Sequence, residues 1–103
     1  MEQEFRFEGK VWEYEGKGAW HFVTLPRAMA VAIEKDRVGV RKAFGTVKVL
    51  AIVGGTRWKT SIFKDNARGS YLLAIKAEVR RRELIQAGMT VEVTVLLDGG
   101  REK

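Results

Sequence analysis

The chain has 103 residues, a formal net charge of +6, 46% hydrophobic and 31% charged residues, and no cysteine. That composition belongs to a folded globular chain, and the length suits one domain, 1–103, because smaller pieces would bury too little surface. Without cysteine there is no disulfide framework, thiolate metal site or cysteine nucleophile, which suits a reducing compartment.

The opening residues Met1 to Arg6 alternate and are acidic, with no basic or apolar leader region. The longest apolar runs, Val49 to Val53 and Tyr71 to Ile75, are strand-sized and too short to span a bilayer. A cytoplasmic location with no membrane contact is the expectation. Charge is uneven: from Lys35 to Arg82 thirteen Lys/Arg stand against three Asp/Glu, +10, while the segments on either side are each −2. So basic a centre attracts polyanions, although lysines and arginines also solvate the outer faces of ordinary strands.

In chain order, residues near 3–15 alternate around Phe5, Phe7, Val11, Trp12 and Tyr14, predicting one long strand, or two with a bulge at Gly9. Gly16-Lys17-Gly18 is a turn, and Trp20 to Leu25 a second strand. Pro26 starts a helix near 26–35, with Met29 and Ile33 on one face. Asp36 to Phe44 is a loop containing Gly39. Strands near 46–53 and 56–64 flank the turn Gly54-Gly55, which sets Val53 opposite Thr56, Ala51 opposite Trp58, Val49 opposite Thr60 and Val47 opposite Ile62. Those pairs form the core face; the other carries Lys48, Arg57, Lys59 and Ser61 beside Leu50 and Ile52. After the turn cluster Lys64 to Gly69 come a strand near 70–75, a helix near 76–85, a stop at Gly88 and a strand near 90–97. Asp98 to Arg101 read as a frayed end.

Strand, short helix, alternating strand and Gly-Gly occur twice. Leu25, Met29 and the set Val47, Val49, Ala51 and Val53 correspond to Ile75, Val79 and the set Val91, Val93, Val95 and Leu97. The offset is 50 residues before the helix end and 44 after it, placing a six-residue longer loop between Glu34 and Gly45. A twofold β-α-β repeat suggests a pseudo-symmetric barrel.

Gly54-Gly55-Thr56-Arg57-Trp58-Lys59-Thr60-Ser61-Ile62-Phe63, followed by Tyr71 to Arg80 with its Lys76-x-x-Val79-Arg80 segment, resembles domain-of-unknown-function family 1905. The likeness extends to Trp20 through Pro26 and Gly88 through Val95, nearly the whole chain. It implies a mainly β fold: a double-split β-barrel of about six to seven strands capped by two short α-helices, related in shape to AbrB/MazE-like DNA-binding domains. Three positions depart from the family pattern: Lys64 and Ala74 stand where prolines are expected, and Met89 where Asp usually follows Gly88. The resemblance supplies a fold and no biochemical activity.

No catalytic, cofactor or metal constellation is visible. His21 is the single histidine, with no carboxylates clustered around it for a metal. Ser61 is a nucleophile by type alone, since nothing in the sequence places a base beside it. Gly54-Gly55 lacks the length and the Lys-Ser/Thr ending of a phosphate loop. Arg80-Arg81-Arg82 spreads over about 200° of a helix, so at least one arginine faces water. Glu78 can pair with Arg82, and Glu83 can moderate the patch. Trp12, Trp20 and Trp58 offer flat faces for bases, but in a small barrel they read first as core anchors.

Two readings of function follow. One is a nucleic-acid-binding or regulatory module, with Lys48, Arg57, Lys59, Arg80, Arg81 and Arg82 as contacts. The other is a protein- or small-ligand-binding module acting through a homodimer, with Leu50 and Ile52 as an exposed apolar patch. No sequence feature supports an enzyme.

Overall fold

A computed structural model describes residues 4–16, 18–36 and 46–97. Six strands and two helices follow in the order β1 (Glu4–Glu13), β2 (His21–Thr24), α1 (Arg27–Asp36), β3 (Thr46–Val53), β4 (Thr56–Asp65), β5 (Ser70–Ala74), α2 (Ala77–Glu83) and β6 (Thr90–Leu97). The strands close into a barrel in the order β1-β2-β5-β4-β3-β6, with every neighbouring pair antiparallel. The fold is thus mainly β, with a closed six-stranded barrel and two helices.

The period-two alternation explains the interior. Phe7, Val11, Val23, Val47, Val49, Ala51, Val53, Ile62, Leu73, Val93, Val95 and Leu97 point inward and are buried. The β3–β4 hairpin has the register set by its Gly-Gly turn, including Val53 opposite Thr56 and Val47 opposite Ile62. Burying a side chain of this size contributes about 1.5–3 kcal/mol, so alternation supplies most of the driving force.

Pro26 precedes α1 and accepts its first backbone hydrogen bonds, from Met29 and Ala30, at 3.0 and 3.1 Å. Ile33 and Ala30 are buried and Met29 packs against the core, which seats α1. In α2 only Val79 is buried. Its helix stops at Glu83, two residues before the expected end, because Leu84 turns left-handed (φ 56°). That turn leaves Leu84 80% exposed and drives Ile85 into the core.

Of the two expectations for the first segment, the single long strand holds: β1 pairs with β6 without interruption from Glu4 to Lys10 and then passes to β2 at Val11, with no bulge at Gly9. The glycine serves close approach, since a Cβ there would lie 2.4 Å from a Val23 methyl. Trp20 lies before β2 rather than within it and is 55% exposed, so it anchors no core. Trp58, half-buried, does pack against the core, whereas Trp12 is half-buried outside it, and the largest fully buried side chain is Tyr71. A six-stranded interior filled by valines, leucines and isoleucines leaves indoles at its margin or outside it. The expected loop around Gly39, its six-residue insertion, Lys17 and the Asp98 to Arg101 end lie outside the described residues.

Candidate nucleic-acid interface

With Ile62 facing inward, the outward positions of β4 are Arg57, Lys59, Ser61, Phe63 and Asp65. Lys59 pairs across the ladder with Leu50, and Ser61 with Lys48, so the two lysines are diagonal neighbours. They line a hollow of about 320 Å³ whose floor is Leu50, Leu96 and Leu97. Leu50 and Ile52, expected to be an exposed patch, are half-buried and stand opposite Leu96 and Thr94 of β6.

Nearer the start of β4, α2 packs on the strand and makes a second hollow of about 150 Å³. Arg57, Lys76 and Arg82 surround it, with the Trp58 ring, the Thr56 side chain and one carboxylate, Glu78. Lys76 was not among the expected contacts; it immediately precedes α2, and only the docking of that helix brings it to Arg57. The Glu78–Arg82 ion pair is not formed among the described residues. Nor does Glu83 moderate the arginines: its carboxylate turns to the hairpin, accepting the Thr56 hydroxyl at 2.5 Å and the Gly55 N–H at 3.2 Å.

Four of the six expected cations therefore border hollows on β4, Lys48 and Lys59 one of them and Arg57 and Arg82 the other. The other two stand apart. Arg80 is half-buried and donates its Nε–H to the Ile75 carbonyl at 3.1 Å, a structural tie. Arg81 is exposed and lines neither hollow.

Further along β4 the outer face becomes aromatic. Trp12, Tyr14, Trp20, Phe22, Phe63 and Leu72 line an open cleft of about 480 Å³, with Asp65 and Arg68 at its edge. Trp20 and Phe22 stack with 10° between their planes and 6.2 Å between centroids. Trp12 donates its indole N–H to the Thr24 hydroxyl at 2.9 Å, and the Arg68 guanidinium lies 4.5 Å over its ring. Arg68 also bonds the Asp65 carboxylate at 2.7 Å. That hydrogen bond, with the nearby positive charge, holds the Asp65 carboxyl below its ordinary value.

The cleft was not expected, because Trp12 and Trp20 read as core anchors in so small a barrel. The signal was parity: once Val11, Val23 and Ile62 face inward, their neighbours Trp12, Phe22 and Phe63 must face outward.

His21 donates from Nδ1 to the Ala19 carbonyl at 2.8 Å. Ser61 lies opposite Lys48, and β5 separates its strand from that of His21. Among the described residues no three His, Cys, Asp or Glu side chains are grouped to hold a metal ion, and no helix is long and apolar enough to cross a membrane.

The family model for the domain of unknown function DUF1905 matches residues 7–95. The chain belongs to the DUF1905 family. No curated protein matches it. The family carries no assigned function, so the function of this DUF1905 domain is unknown. At Met89, where the resemblance leads one to expect Asp, the thioether accepts the Gln86 N–H at 3.3 Å while the Met89 N–H donates to the Gln86 carbonyl at 3.1 Å. Sulfur thus takes the acceptor position open to a carboxylate in such a turn. Lys64, at one of the positions where proline was expected, donates to Glu34 of α1 at 2.9 Å.

Proposed function

We propose that this DUF1905 domain is a non-enzymatic, cytoplasmic nucleic-acid-binding module that holds phosphates along β4. The observation that carries the reading is that Arg57 and Lys59, successive outward positions of β4, each border a hollow that gathers further cations, Lys48 in one and Lys76 and Arg82 in the other, with Glu78 the single carboxylate lining either. Surplus cations placed side by side raise the local potential and invite a polyanion.

We further infer that the barrel is a double-split barrel with an internal twofold, akin in shape to AbrB/MazE-like DNA-binding domains. What supports the twofold is register. Val23 pairs with Leu73, 50 residues on, and Ala51 pairs with Val95, 44 residues on. Those offsets are the two carried by the sequence repeat. The same relation exchanges Leu25 N–H to Tyr71 carbonyl with Ile75 N–H to His21 carbonyl, both 2.9 Å. Shape similarity to DNA-binding domains is analogy, and the charge carries the functional argument.

Fluorescence anisotropy with labelled DNA and RNA across a salt series tests the reading. With about four phosphate contacts, affinity should fall on the order of a hundredfold between about 50 and 200 mM salt. Arg57→Glu with Lys59→Glu should abolish binding, whereas Arg81→Glu should weaken it only slightly. Binding that ignores salt, or survives the double reversal, sinks the proposal.

A further inference from the structure

We infer that the nucleic acid bound is single-stranded, its phosphates on the cationic part of β4 and its bases stacked in the aromatic cleft. This rests on the nucleic-acid reading above and adds the form of the ligand. Continuity along one strand carries it. The outward positions of β4 run Arg57, Lys59, Ser61, Phe63, Asp65 without a break, so one ridge leads from the cations into the aromatic cleft. Six residues separate Arg57 from Phe63, about 20 Å of extended chain, enough to follow a few nucleotides.

The cleft has the chemistry that stacking needs. Tyr14, Trp20 and Phe63 are 53%, 55% and 41% exposed, an unusual cost for three large rings unless a partner covers them. Trp12 already carries the Arg68 guanidinium on its ring, so the rings open to a ligand are Trp20, Tyr14 and Phe63. The one carboxylate at the edge, Asp65, is neutralised by Arg68 at 2.7 Å and does not repel an approaching phosphate. Bases offer their faces to aromatic side chains only when unstacked, so cations leading into open rings select single strands over duplex.

The test follows labelled single strands, DNA and RNA in separate arms, and the matching duplex, by anisotropy and by quenching of tryptophan emission. Single strands of either sugar should bind more tightly than duplex and quench the emission. Trp20→Ala and Phe63→Ala should each weaken single-strand binding by about 5- to 100-fold without changing its salt slope, and Trp20→Phe should restore most of the loss. Both rings are exposed, so the variants should fold, and circular dichroism checks that they do. Duplex binding equal to single-strand binding, with no quenching and an indifferent Trp20→Ala, overturns the stacking inference and leaves the phosphate reading in place. Loss of binding to both forms at low salt overturns both. Quenching by a proline-rich peptide but by no oligonucleotide assigns the cleft to a protein partner and overturns the inference.

Discussion

Arg68 shows how one side chain sets a local environment, lying over Trp12 while donating to Asp65. Hydrogen bonding to Arg68, more than its charge, lowers the Asp65 carboxyl from the ordinary 3.8. A carboxyl depressed in the folded state contributes stability that is complete above its unfolded value and lost as pH falls through the folded one. The Asp65–Arg68 contribution is therefore present at neutral pH and fades in acid below about pH 4. In Arg68→Ala the Asp65 midpoint should rise toward the ordinary value in an NMR titration of the carboxyl carbon; an unchanged midpoint would show that Arg68 is not the cause. At this scale the sequence was a good guide to inward residues and a poor one to outward ones. The rule that large aromatics are buried misled for Trp20 because the barrel interior is finite, while the alternation of Val11, Val23 and Ile62 held.

Among the elements, α2 depends most on its contacts. It is seven residues long and buries only Val79, too little for a helix of its length to persist alone. Glu83 supplies the second anchor by accepting from Thr56 and Gly55 at the β3–β4 turn. Gly54 matches that anchor: its φ is +60° and a Cβ there would fall 2.1 Å from Glu83 Oε1. Glu83→Ala should leave the Thr56 hydroxyl without its acceptor and destabilise the domain by about 1–3 kcal/mol in urea unfolding. Glu83→Gln keeps an acceptor and should cost less. If α2 holds Lys76 and Arg82 against Arg57, Glu83→Ala should also weaken oligonucleotide binding, although Glu83 borders neither cationic hollow. The existence of both helices was legible in Pro26 and in the apolar spacing. The end of α2 was not, because the left-handed Leu84 is held by burial of Ile85, a tertiary effect.

For the whole molecule the decisive feature is closure. β1 joins the two sides of the ring, pairing with β6 through Lys10 and with β2 from Val11. Gly9 sits beside that exchange, with a Val23 methyl 2.4 Å from where a Cβ would be. Gly9→Ala should overpack this seam at a cost of about 1–3 kcal/mol, lowering the thermal midpoint by roughly 4–8 °C per kcal/mol. Circular dichroism and tryptophan emission, the latter reporting the outer cleft through Trp12 and Trp20 and the α2–β4 packing through Trp58, should shift together, since every strand shares one core. A shift confined to one probe would contradict that coupling.

Alternation, turn chemistry and the spacing of the two β-α-β stretches were enough to determine a mainly β chain, its strands and helices nearly to the residue, the hairpin register and the inward set. These are local properties: the pleat alternates side chains and Gly-Gly specifies its turn. Only the tertiary structure decided which outward residues meet. Lys76 reaches Arg57 because α2 docks on β4, Arg80 is withdrawn by the Ile75 carbonyl, and Phe63, more than forty residues on, joins Trp12 and Trp20 because ring closure sets β1 and β2 beside β5 and β4. Neighbourhood on the outside of a barrel is fixed by strand order, and strand order is settled only when every strand must bury its apolar face in the same closed interior.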